Sequence, residues 1–275
     1  MSERPAEAQR ATLEEPFSAV KGYLTQVAAV ALTEIWHLRH DPTEIFTRAI
    51  QPALWLLLFG QVMAHVRGLD TGSGNYLDFL APGILAQSVL FAAIFYGIAA
   101  IWERDLGVLH RFMVSPAPRT ALVVGKAIGS AVRNLVQAVM IYALCFVMGI
   151  GIDFNPLNIL AVAIFIALGS GLFSVFSLIV ACLVRTRERF MGIGQVLTMP
   201  IFFASNAIYP LDIMPGWLRA IATANPLSYE VDALRRLMLV SGVSKIGLGT
   251  DLLVLLAVSA VLVAIAARLY PRLTE

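Results

Sequence analysis

Apolar residues run along this chain in long, nearly unbroken blocks, and the polar residues gather between the blocks. Residues 79–101, 157–184 and 190–209 carry no charged side chain at all. A run of about 18 or more apolar residues is long enough to cross the hydrocarbon core of a bilayer as a helix. Three further blocks have the same character. Residues 46–66 carry Arg48 and Gln51 near their start, residues 127–152 carry Arg133, and residues 252–269 form the shortest block. The pattern predicts an all-α integral membrane protein with six transmembrane helices. The fourth block is long enough to tilt, and Pro200 predicts a kink in the fifth.

Lys and Arg then set the expected orientation, because they accumulate in cytoplasmic loops. Fourteen cations fall on the side that holds the N-terminal segment, the loop from Arg104 to Lys126, the Arg185–Arg189 turn and the C-terminus. Five (Arg67, Arg219, Arg235, Arg236 and Lys245) fall on the other, and Arg133 lies within a block. Both termini are therefore expected in the cytoplasm, as an even number of spans requires. The first residues have no apolar stretch of the signal-peptide kind, so the first span is expected to act as the insertion signal.

Three segments repeat at helical spacing without being spans. Residues 17–38 are interrupted by Lys21, Glu34 and His37, and a charge at mid-bilayer costs at least a few kcal/mol. An interfacial amphipathic helix is the cheaper arrangement, so residues 1–44 read as a cytoplasmic tail with such a helix and 45–275 as the membrane domain. In residues 102–115, Trp102, Leu106, Leu109 and Met113 form one apolar stripe. Glu103 and Asp105 come early and Arg111 late, as the helix dipole favours, and Pro116 and Pro118 end it. Residues 210–242 hold two short amphipathic helices in sequence. Pro215 and Trp217 sit in the first, and Asn225-Pro226 reads as N-cap and N1 of the second. They predict a hairpin dipping into the outer leaflet, with a pair lying on the surface as the competing arrangement.

Composition agrees: 59 % of residues are hydrophobic and 14 % charged, against about half and a quarter in soluble domains. A net charge of +2 gives no footprint for nucleic acid. Cys145 and Cys182 lie in different apolar blocks and read as small buried hydrophobes rather than a disulfide or metal site. No phosphate loop occurs, since Gly125-Lys126 is followed by alanine, and no His-Glu-x-x-His or Gly-x-Ser-x-Gly pattern is present. No Asp or Glu lies within the core of any block, which argues against an ion-driven transporter and an intramembrane hydrolase. The polar groups inside the blocks are neutral apart from Arg133. Gln87, Tyr96, Asn134, Gln137, Gln195, Thr198 and Asn206 are the ones able to line a weakly polar path. Interhelical hydrogen bonding, at about 0.6–2 kcal/mol each, is the ordinary role of such groups.

Two motif sets carry a resemblance. The first is Glu103-Arg-Asp-Leu-Gly-Val-Leu-His-Arg111 followed by Pro116-x-x-Arg119. The second is Tyr209-Pro-Leu-Asp-Ile-Met-Pro-Gly-Trp217, then Asn225-Pro-Leu-Ser-Tyr229 and Ala233-Leu-Arg235. In this order the chain resembles the membrane subunit of type-2 ATP-binding-cassette exporters, the drug and polysaccharide export permeases. With Leu77-Asp-Phe-Leu-Ala-Pro-Gly83 added, it is most similar to the daunorubicin-resistance type.

The resemblance implies a non-catalytic permease for ATP-driven export of a lipophilic drug-like or lipid-linked/saccharide substrate. It implies pairing with a second copy or a related permease, two copies of a separate cytoplasmic ATPase that holds ATP and magnesium, and surrounding membrane lipids. Trp102, Glu103, Arg104, Asp105, Gly107, Leu109, Arg111, Pro116 and Arg119 would couple to that ATPase. Tyr209, Pro210, Pro215, Trp217, Asn225 and Pro226 would form an outer gate. Reversing the charge of Glu103 or Asp105 would then uncouple transport without unfolding the bundle. The competing reading is a membrane assembly subunit that transports nothing.

Overall fold

The computed structural model describes residues 50–64, 76–106, 119–184 and 186–270, with residues 25, 28 and 32 beside them. The expected interfacial helix at 17–38 lies, but for those three residues, outside the described residues. The chain is helical from residue 50 to 64, with a π-helical stretch at Trp55–Gly60 (α1). Then come α2 (Tyr76–Asp105), α3 (Arg119–Val147), α4 (Pro156–Leu183) and α5 (Arg187–Phe203). A single 3₁₀ turn at Leu211–Ile213 leads to α6 (Gly216–Ala224), α7 (Pro226–Met238) and α8 (Leu248–Leu269).

Of these, α2, α3, α4 and α8 are long and apolar enough to cross a membrane. The fifth apolar block, expected to span 190–209, forms a helix of 17 residues that stops at Phe203. Pro200 supplies no N–H to the helix, and outside groups take the last carbonyls. Ser205 Oγ donates to Phe202 O at 2.6 Å, and Asn225 Nδ2 donates to Ile201 O at 2.6 Å and Ala204 O at 2.9 Å. The third helix begins eight residues before its expected start at 127, and the last begins at Leu248 rather than 252.

The helix α4 occupies the centre, packed against α2, α3, α7 and α8. Its start is well specified. Asn155 Oδ1 accepts from Leu157 N at 3.1 Å while Pro156 takes the first helical position. The short helix α7 lies inside the bundle, against α2, α4 and α8, and is not laid along a surface. Ten of its residues are buried, whereas α6 buries only Ala222 and exposes Trp217 and Ile221. A one-bridge antiparallel pair, Ile152 with Leu239, fastens the α3–α4 connection to the end of α7. Asp153 N donates to Met238 O and Val240 N to Gly151 O.

One large apolar core joins α2, α4 and α7 near the hairpin, and a smaller one at the opposite end holds Ile101, Val123, Phe190 and Tyr270. The last helix contributes Leu255 to the large core and turns Leu253, Leu256, Val261 and Ile265 outward. That is the distribution expected of a helix bathed in lipid.

Candidate functional site

The end of the bundle where α2 finishes and α3 and α5 begin concentrates charge. Lys126 Nζ lies 2.6 and 2.7 Å from the two carboxylate oxygens of Glu103. Asp105 Oδ2 accepts from Arg187 Nη2 at 2.7 Å and Nε at 3.0 Å, and its Oδ1 accepts from Arg104 Nη2 at 3.0 Å. The Arg187 guanidinium also stacks 3.6 Å above the Trp102 ring, the planar arrangement that Arg favours over Lys. Of the residues expected to couple, Trp102, Glu103, Arg104 and Asp105 are thus gathered at this end, and the ring of Trp102 stays about half exposed (47 %). Arg119 opens α3. Gly107, Leu109, Arg111 and Pro116, with most of the expected 102–115 helix, lie outside the described residues. The described part of that segment continues α2 through Asp105.

Midway along the bundle a cavity of about 360 Å³ opens between α1, α2 and α3, lined by Gln51, Pro52, Gln87, Ser88, Phe91 and Gln137. Two expected path residues, Gln87 and Gln137, therefore share one cavity with Gln51 as a third amide. The others are dispersed. Asn134 is buried and donates to Ser170 Oγ at 2.6 Å, which also pairs with Ser130 Oγ at 3.0 Å. Tyr96 lies under the Arg133 guanidinium, 5.5 Å from ring centre. Thr198 is buried and donates to Gly194 O, and Gln195 is exposed on the outward face of α5 beside Val196. Asn206 is buried, and its carbonyl accepts from Arg235 Nη2 at 2.9 Å.

At the hairpin end a second cavity, about 450 Å³, is walled by Trp55, Phe59, Tyr76, Phe203, Tyr209 and Pro215 among others. The two tyrosine hydroxyls are spent on backbone, Tyr76 on Ile208 O at 3.0 Å and Tyr209 on Phe203 O. Their rings are what the cavity meets. Tyr209, Pro210 and Pro215 of the expected gate line it, while Trp217 is exposed on α6 at 68 %. Asn225 and Pro226 start α7. Asn225 Oδ1 caps it through Leu227 N at 3.0 Å while its amide nitrogen holds the end of α5. At the edge of the hairpin, outside the apolar helices, Lys245 pairs with Asp212 and holds its carboxyl below the ordinary carboxylate range.

Set beside known proteins, residues 25–239 match the ABC-2 type transporter family. The chain belongs to this family. It is 31 % identical over 202 residues to a putative transport permease ycf38 of Cyanophora paradoxa, covering 72 % of this chain and 69 % of that protein. It is 29 % identical over 255 residues to the daunorubicin resistance ABC transporter permease protein DrrB1 of Streptomyces coeruleorubidus, covering 90 % and 87 %. A probable doxorubicin resistance ABC transporter permease protein DrrC of Mycobacterium tuberculosis is 24 % identical over 199 residues, covering 71 % and 70 %.

In this ABC-2 permease subunit, contacts also form through residues to which the sequence pattern assigned no role. Lys126 and Arg187 complete the charged end, and both read as ordinary boundary cations. Arg235, nine-tenths buried, spans three elements: its guanidinium sits 3.9 Å above the Phe79 ring and donates to Asn206 O. Its place in the Ala233-Leu-Arg235 motif marks it in the sequence, without pointing to these contacts. The close approach beneath it needs Gly83, because a Cβ there would stand 2.2 Å from Ala207 O.

Proposed function

We propose that this chain forms the translocation path of an exporter driven by a separate ATPase, moving a lipophilic drug-like or lipid-linked molecule. Six spans with both termini in the cytoplasm place the charged end at the ATPase and the hairpin at the outer leaflet. Two copies of the chain, or one with a related permease, pair with two ATPase copies that bind ATP and magnesium. The segment from Trp102 to Arg119 receives the motion of the ATPase, and α2 and α3 carry it into the bundle. Such a transporter alternates between two arrangements biased by nucleotide.

The observation that carries this reading is the family membership over residues 25–239. The amide-lined cavity of Gln51, Gln87 and Gln137 supports a path along α1, α2 and α3. The aromatic walls near Tyr209 and Trp55 support a lipophilic cargo, since apolar pockets with few polar groups take apolar ligands. The test is purification of the tagged chain from its native membrane in mild detergent, followed by ATP-driven uptake of daunorubicin into inside-out vesicles. A near-stoichiometric nucleotide-binding subunit together with ATP-dependent daunorubicin accumulation is expected. A chain that purifies intact with no such subunit would overturn the proposal.

A further inference from the structure

Glu230 is the fifth residue of α7, and its side chain has no exposure to solvent (0 %). Neither carboxyl oxygen has a hydrogen-bond partner among the described residues. The group occupies the space left by the missing side chain of Gly169, where a Cβ would stand 2.2 Å from Glu230 Cδ. Gly169 is position 14 of the 28-residue α4, so the carboxyl lies about 20 Å from either end of that helix at 1.5 Å per residue. The short helix α7 thus delivers to the middle of the bundle an acid that none of the apolar blocks contains.

The titratable groups on the packed elements leave this acid alone. Along α4 the one such residue is Cys182, thirteen positions further on. On α2 they are Tyr76 and Asp78 at one end, Tyr96, and the ionised residues from Glu103 on at the other. Tyr76 donates to Ile208 O, and Asp78 accepts from Gly151 N. On α8 they are Asp251, whose buried carboxyl has no hydrogen-bond partner among the described residues, and Arg268 in the last turn. On α7 itself, Tyr229 donates to Thr223 O and Asp232 accepts from Ser244 Oγ and the Lys245 and Ile246 amides. Arg235 is held by Asn206 O and Phe79, and Arg236 by Gly242 O. Among the described residues no cation pairs with Glu230. A carboxylate without water, counter-charge or donor is disfavoured so strongly that the group takes up a proton instead. Burial accordingly holds this carboxyl well above the ordinary carboxylate range.

We propose that Glu230 is a proton-binding site that locks α7 against α4: the closed packing accepts only the neutral acid, and loss of the proton releases the helix. Glu230 has no surface open to solvent in the closed packing, so an ionised carboxylate there is hydrated only when α7 moves away. The sign follows from linkage. A group with a raised pKa in the closed state stabilises that state at low pH, and the stabilisation is lost as pH rises. This rests on the packing of α7 alone and holds whether or not the hairpin gates transport.

The experiment is hydrogen–deuterium exchange of the full chain in lipid nanodiscs, read over the α7 peptide from about pH 6 to about pH 9 and corrected for intrinsic exchange. In the native chain the corrected rate is expected to climb, approaching about tenfold per pH unit. In Glu230→Gln, which keeps the size and never ionises, it should stay slow and flat. Asp251→Asn should keep the native rise. A flat native profile, a rise surviving in Glu230→Gln, or a rise abolished by Asp251→Asn would each overturn the assignment. If Glu230→Gln does not fold, infrared spectra of Asp251→Asn replace it. The carbonyl band of a carboxylic acid without hydrogen bonds should be present at about pH 6 and fade as α7 exchange rises, and its absence would overturn the site.

Discussion

Lys126, about two turns inside α3, closes on Glu103, near the end of α2, with its ammonium 2.6 and 2.7 Å from the two carboxylate oxygens. The pair joins the two helices on either side of residues 107–118, so it fixes both roots of the segment proposed to meet the ATPase. Lys126 is the more buried partner, with 7 % of its side chain exposed against 24 % for Glu103.

Reversing Glu103 alone therefore does more than alter a docking surface. It leaves the Lys126 ammonium enclosed beside a second cation. Breaking a fully buried pair costs about 3–5 kcal/mol, and the partial exposure of Glu103 lowers the expected cost to about 1–3 kcal/mol. Thermal unfolding in detergent should show E103K destabilised and the exchanged pair E103K/K126E largely restored. If the exchanged pair regains stability but fails to retain the ATPase, Glu103 also serves docking. If it regains both, its role is the pair.

Arg187 offers the opposite case. Its contacts to Asp105 and Trp102 lie at the surface, with about a third of each charged side chain exposed. Exposed pairs are worth at most about 1 kcal/mol, and stacking on an exposed ring adds about 0.5–1 kcal/mol. R187A should thus shift stability by less than about 2 kcal/mol. A loss of ATP-driven transport of tenfold or more at that small cost would mark Arg187 as part of the coupling route. Unchanged transport would confine it to holding the start of α5.

The long apolar helices α2 and α4 were legible in the sequence because hydrophobicity alone defines them. The apparent polarity of residues 226–238 was legible too, but not its destination. Arg235 and Asn225 pair with the carbonyls of Asn206, Ile201 and Ala204, and a carbonyl leaves no mark in a sequence. This is why a helix too polar to span ends up among the apolar ones, and why the fifth block stops at Phe203. The early start of α3 was missed for a related reason. Lys126 reads as the edge of a span, and only the fold brings Glu103 beside it to neutralise it. The sequence ranks five amides, Tyr96 and Thr198 alike as path-lining groups, yet side-chain direction brings only Gln87 and Gln137 of them to one cavity.

Asn225 does three things with one side chain, and substitutions separate them. N225S keeps an N-cap oxygen for Leu227 N and loses both donors to the end of α5. N225A loses all three bonds, and N225D keeps the cap while setting a carboxylate against two carbonyl oxygens. A lost cap costs about 1 kcal/mol, and each of the two carbonyls, being only partly buried, costs toward the low end of about 1–3 kcal/mol when left without a donor. Stability in detergent should fall in the order native, N225S, then N225A and N225D, with N225A lower than native by about 2–4 kcal/mol. Equal stability of N225S and the native chain would show that the bonds to Ile201 and Ala204 contribute nothing.

Gln87 tests the path itself. It sits in the cavity with Gln51 and Gln137, where free volume of about 360 Å³ leaves room for a larger side chain. In Q87W the indole extends into that space instead of into packed neighbours, so the overpacking cost of about 1–3 kcal/mol seen in filled cores should be mostly avoided. The bundle is expected to stay within about 1 kcal/mol of native, and the ATPase should still co-purify. Transport into inside-out vesicles should fall at least about tenfold, since tenfold corresponds to only about 1.4 kcal/mol on the barrier. Normal transport by a stable Q87W would move the path out of this cavity. Attention would then shift to the exposed face of α5, where Gln195 and Val196 point away from the chain's own core.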